Sequence, residues 1–165
     1  MYKRNNKVII ISYLIILFFV SVNSAYAQHK EYTSKDMPAA VLEAFNKTYP
    51  NSEAVGYDIE KENGSRFYEI ESREGSIRRD ILFNEDGTIQ EVEESMNVSD
   101  LSQNAVNSIK EKYPGSKIIK AETITKGKET FYEVIVKTKK KKYEVQVRAD
   151  GTIINDENGN EENKN

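Results

Sequence analysis

The chain has 165 residues, with 24 Lys+Arg against 27 Asp+Glu, one His, ten Tyr, no Cys and no Trp. Without cysteine it has neither a disulfide framework nor the residue that carries a lipoprotein's lipid, so its core alone must hold it together. One histidine and no thiol leave nothing from which to build a Ser-His-Asp, Cys-His or transition-metal centre, and a net negative chain without Trp does not suit a dedicated nucleic-acid binder.

Residues 1–27 read as a signal peptide. Lys3, Arg4 and Lys7 charge its start, Val8 to Val22 is almost wholly apolar, and Ala25-Tyr26-Ala27 is a small-x-small cleavage site before Gln28. The apolar run is short for a membrane span, so the expected product is periplasmic or secreted, with no stable membrane anchor after cleavage. Processing at that site leaves 21 basic and 27 acidic side chains on 138 residues, a net charge of −6, and that length suits one compact domain. His29 falls in the lead, residues 28–36, where a chain end is expected to fray.

From residue 37 the pattern is regular. Met37, Val41, Phe45 and Tyr49 draw an apolar stripe at helical spacing, with Asp36 and Pro38 at the start and Pro50 as the stop. The period then changes to two: Val55, Tyr57 and Ile59; Tyr68, Ile70 and Ser72; Arg79, Ile81 and Phe83; and a short run from Ile89 to Val92. Asn63-Gly64, Glu74-Gly75 and Asp86-Gly87 mark the turns between these strands. The same order returns further on. Leu101, Ala105, Ile109 and Tyr113 form a second stripe, with Ser99 or Asp100 as the expected cap and Pro114 as the stop, and four more strand patterns follow, the last beginning after Asp150-Gly151.

The recurrence is a duplication. Tyr49-Pro50, Phe67-Tyr68-Glu69 and Asp86-Gly87-Thr88-Ile89 each reappear 64 positions later, as Tyr113-Pro114, Phe131-Tyr132-Glu133 and Asp150-Gly151-Thr152-Ile153. The predicted fold is α+β: two tandem α-β4 repeats, residues 37–99 and 100–155, forming one antiparallel sheet of about eight strands with both helices on one face. Residues 156–165 are expected to be a disordered acidic tail. Charge divides unevenly, with 6 basic and 14 acidic side chains in residues 37–99 but 12 and 7 in residues 100–154.

The segment from Pro38 to Pro50, with Phe67-Tyr68-Glu69-Ile70 and Phe83-Asn84-Glu85-Asp86-Gly87, resembles the PepSY-like secreted proteins, whose fold is similar to that of β-lactamase inhibitor protein. The resemblance spans residues 37 to 155 and implies tandem α-β4 units with a concave sheet. The second repeat departs from the pattern with Ser102 in place of the Pro and Ile109 in place of the Phe. The inhibitor's disulfide-bearing loops have no counterpart, so none of its inhibitory contacts transfers to a residue here.

The chemistry-bearing patterns are weak. Glu69 with Glu71, Glu91 with Glu93, and the trio Asp58, Glu60 and Glu62 share strand faces, as solvated faces commonly do, and match no calcium-loop spacing. Lys139 to Lys142 falls at a hairpin and would suit an acidic partner if it docks anything. The clearest candidate is a sheet face. If Tyr68, Ile70, Tyr132 and Val134 face the helices, alternation sends Phe67, Glu69, Glu71, Phe131, Glu133 and Ile135 to the other side, with Arg78, Asp80, Lys142, Glu144 and Arg148 beside them. Such a mixed aromatic and charged patch suits an interface. The sequence reads as a monomeric, non-enzymatic, cofactor-free module that binds a protein or peptide of the envelope or exterior, with inhibition of an enzyme there as its most concrete form; the alternative is a small-ligand or calcium-binding protein.

Overall fold

The computed structural model describes residues 31–161 apart from Asn63; the signal-peptide reading and residues 162–165 fall outside the described residues. The first repeat comprises helix α1 (Ala39–Thr48) and strands β1 (Glu53–Glu62), β2 (Ser65–Glu74), β3 (Ile77–Phe83) and β4 (Ile89–Met96). The second comprises α2 (Gln103–Lys112), β5 (Lys117–Lys126), β6 (Glu129–Lys137), β7 (Lys141–Val147) and β8 (Ile153–Glu161). All eight strands form one antiparallel sheet in the order β1 to β8, and β4 pairs with β5 to join the repeats. None of the described helices is long and apolar enough to cross a membrane.

Both helices cover the same face, as the alternation requires. α1 presses Val41 and Phe45 onto Tyr68, Ile70, Ile81 and Phe83, and α2 presses Ala105 and Ile109 onto Val134, Val136, Val145 and Val147. The sheet is continuous, but this core is in two parts, one beneath each helix. Between them a cleft of about 290 Å³ opens over the junction, lined by Tyr49, Val92, Glu94, Thr123 and Thr125.

The duplication extends to the irregularities. The ladder slips between Ala54 and Gly56 in β1 and between Ile118 and Lys120 in β5, so Val55, expected to follow the alternation, is exposed at a bulge instead, as is its counterpart Ile119. The Asp-Gly turns also match. Asp86 and Asp150 accept hydrogen bonds from the amides of Thr88 and Thr152, and Gly87 and Gly151 adopt φ of 82° and 92°. A Cβ on Gly87 would lie 2.5 Å from the Ala40 carbonyl oxygen, and one on Gly151 would lie 2.9 Å from that of Asn104. Each turn therefore rests against the first turn of its own helix, where only glycine fits.

Two boundaries differ from expectation. The α2 cap is Ser102, whose Oγ accepts from the Ala105 amide and donates to the Ala149 carbonyl; Ser99 and Asp100 belong to a preceding 3-10 turn. The final strand continues through Glu161, so residues 156–161 pair with β7 rather than starting a disordered tail. Its polar composition hid this strand, since no apolar alternation marks it.

Candidate functional site: the sheet face away from the helices

Apart from positions past the register shifts, even-numbered positions of β3 and odd-numbered positions of β2, β4 and β6 point away from the helices, joined by even-numbered positions of β5 and β7. Phe67, Glu69, Glu71, Arg78 and Asp80 thus share this face with Phe131, Glu133, Ile135, Lys142 and Glu144, as the sequence indicates. Arg148, just beyond β7, lies 3.8 Å from Glu129.

The face is not the open patch that alternation alone suggests. Over much of β5 to β7 it is buried: Phe131 is 6% exposed, Glu133 5% and Glu144 8%, and Ile124, Glu122 and Gln146 are buried with them, whereas Ile135 and Lys142 are half-buried and Lys120 is exposed. Over β2 to β4, Phe67, Glu69, Asp80, Leu82, Glu91 and Glu93 are half-buried, and Glu71 and Arg78 are exposed. A twisted eight-strand sheet coils, and on its concave side the side chains of alternate strands converge. Strands two apart are separated by about 9.6 Å of backbone, yet carboxylate oxygens of Glu93 on β4, Glu122 on β5 and Glu133 on β6 all lie within 4.8 Å of one another.

This crowding sets the electrostatics. Burial, then a hydrogen bond that the protonated Glu69 donates to Glu60, and the charges of Glu60, Asp80 and Glu71, hold Glu69 well above the usual carboxylate range. Burial pushes Glu93 up to about 8, assisted by Glu133, Glu122, Glu91 and Asp80. Glu133 rises to about 7 through burial and Glu144, against a lowering hydrogen bond from Gln146 Nε2 at 3.2 Å. Burial also raises Asp80, with Glu71 and Glu122 adding to it, and Glu144, with Glu157 adding to it. Lys120 pairs with Glu122 at 2.7 Å and Lys126 with Glu91 at 3.0 Å. Gly56 completes the floor: a Cβ there would lie 2.8 Å from Glu71 Cδ, so glycine lets that carboxylate lie across β1.

Glu93, Glu122 and Ile124 were not among the expected site residues. Their signal was present, since β4 and β5 alternate like their neighbours, but tracing the face only through the β2–β3 and β6–β7 hairpins omits the junction where the two repeats meet. The arrangement suits holding positive charge: a cationic side chain or a hard cation would replace the shared protons with a fixed counter-charge.

The family model described as "Putative beta-lactamase-inhibitor-like, PepSY-like" matches residues 23–91 and 74–160. No curated protein matches the chain. Among solved structures, a BLIP-like protein from Bacteroides fragilis is similar at 17% identity, covering 78% of this chain and 92% of its own, with a TM-score of 0.60. A DUF2874 family protein from Bacteroides uniformis is similar at 17% identity over 73% and 88%, with a TM-score of 0.62. A "putative periplasmic" protein of Bacteroides eggerthii gives 13% identity over 74% and 88%, also with a TM-score of 0.62. At such identities these structures share the fold. With both repeats matched by one family model, the chain belongs to the β-lactamase-inhibitor-like, PepSY-like family.

Proposed function

We propose that this protein is a non-enzymatic, exported binding module that receives a cationic segment of a protein or peptide partner on the half-open acidic floor over β2 to β4. The observation that carries the reading is the crowding of Glu69, Asp80 and Glu93, each with a raised pKa, on an accessible part of the concave face. Phe67 and Leu82 supply apolar surface between the charges. The leader pattern and the periplasmic description of a structural relative support an extracytoplasmic site of action. Inhibition of an envelope or secreted enzyme is the most concrete form of such binding.

The test is calorimetric titration with an octalysine peptide at about pH 7.5, between the ordinary carboxylate pKa and the raised values, in two buffers of different ionisation enthalpy. Binding should release protons, because an ammonium group lowers the pKa of each carboxylate it meets. The double variant Glu69→Gln, Glu93→Gln should bind at least about tenfold more weakly, a loss of roughly 1.4 kcal/mol. Absence of binding, or equal binding by the double variant, contradicts the reading.

A second reading, calcium binding, is favoured by the convergence of Glu93, Glu122 and Glu133. A rise in melting temperature with calcium that Glu133→Gln removes would support it. Peptide binding unaffected by EDTA would favour the first.

A further inference from the structure

The second repeat carries an opposite electrostatic feature at one end of the sheet. α2 ends with Lys110 and Lys112, β5 begins with Lys117, β6 ends with Lys137, and the β6–β7 hairpin contains Lys139 and Lys140; all six are exposed. The ladder brings them together, pairing Lys117 with Lys137 and Lys137 with Lys142. Asp156 at this end pairs with Lys112 at 2.9 Å.

Duplication does not account for the cluster. The equivalent positions of the first repeat, 64 residues earlier, are Asn46, Thr48, Glu53, Arg73, Gly75 and Ser76, which carry one positive and one negative charge. Within the lysine cluster, the bulge leaves Ile119 47% exposed between Lys117 and Lys120. We propose that this lysine end, with Ile119, docks the protein peripherally on an anionic lipid bilayer.

Several features favour a bilayer over nucleic acid. The six cations are Lys rather than Arg, so they offer point charges to a diffuse negative plane instead of bidentate forks to individual groups. The nearby aromatics are not available for stacking on bases, because Tyr113 is buried and packs on Tyr143 with ring centroids 4.6 Å apart. An exposed branched aliphatic among lysines suits the headgroup boundary, where apolar atoms enter while ammonium groups stay hydrated. The expected net charge of −6 opposes approach only in an average sense. Screening at physiological salt acts over about 8 Å, whereas β4, the nearest strand of the acidic floor, lies two strand spacings, roughly 9.6 Å, from β6, where the hairpin begins. The bilayer therefore meets chiefly the lysine end, and the acidic floor stays free for its own ligand.

Cosedimentation of the exported chain with phosphatidylcholine vesicles, with and without phosphatidylglycerol, tests this at about 0.15 M salt. Partition should require phosphatidylglycerol and fall steeply with added salt. The triple variant Lys137→Ser, Lys139→Ser, Lys140→Ser should partition about 100-fold less, at roughly fivefold per lysine, and Ile119→Ser should partition several-fold less. If the triple variant does not fold, Lys139→Glu at the hairpin should still lower partition roughly twentyfold, since it changes two charge units. No partition of the parent, unchanged partition of a folded variant, or tighter binding per phosphate to inorganic polyphosphate than to vesicles would overturn the proposal, the last by making a soluble polyanion the occupant.

Discussion

The two repeats close the joint between helix end and sheet with different chemistry at matched positions. In the first, Arg79 lies 5.2 Å from the centroid of the Tyr49 ring, bonds to Glu74, Glu94 and Ser52, and is 9% exposed. In the second, the equivalents of Tyr49 and Arg79 are Tyr113 and Tyr143, which stack on each other, and the Tyr113 hydroxyl donates to Asp156 at 2.7 Å while Lys112 pairs with the same carboxylate. One scaffold thus accepts an ionic brace or an aromatic one, because the position demands a large planar group over a tyrosine and little else. The opposite face repeats the lesson with solvent: the first repeat keeps its acidic floor half-open, whereas the second buries it.

The largest effects should come from the helix-side cores. Phe45→Ala should cost about 3–5 kcal/mol and Ile109→Ala about 2–5. The continuous β4–β5 ladder predicts that each variant lowers one cooperative thermal transition; two transitions, each sensitive to one variant, would show that the divided core makes two independent units. Next comes the concave face. Phe131 is buried, so Phe131→Ala should cost about 3 kcal/mol by chemical denaturation, while half-buried Phe67→Ala should cost about 1. Equal small losses would mean the face is open throughout.

Removing the braces should separate them by their response to salt. Arg79→Ala should cost about 2 kcal/mol, below the range for a fully buried pair because Glu74 and Glu94 are 38% and 43% exposed, and added salt should shrink the loss. Tyr143→Ala should cost a similar amount that salt leaves unchanged. Neutralising the acidic floor acts through pH instead. Folding raises Glu93 and Glu133 above their ordinary value of 4.5, so the folded state retains protons that the unfolded chain has lost. Stability should therefore fall as pH rises from about 4.5 to about 8 and then level off. Glu93→Gln should flatten that slope and stabilise the protein near pH 8 relative to the parent.

The repeat, the helices, the hairpins and both faces of the sheet were legible because periods of 3.6 and 2 and an offset of 64 residues leave direct marks in the chain. Ser102 as cap and β8 beyond Asn155 were not, since a polar edge strand and a neighbouring Ser-Asp turn give competing local signals. Placement of Phe131 and Glu133 on the concave face followed from alternation, but their burial did not. Burial there depends on how eight strands coil together, a property of the assembled sheet that no local window contains.

On this reading the concave face holds carboxylic acids protonated near neutral pH, ready to exchange protons for a cationic partner. A titration of side-chain carboxyl carbons by NMR, with Glu93 and Glu133 assigned through their Gln variants, tests it most directly. Ionisation is expected near pH 8 for Glu93 and near pH 7 for Glu133. Ionisation of both in the ordinary carboxylate range, about pH 4 to 5, would contradict it.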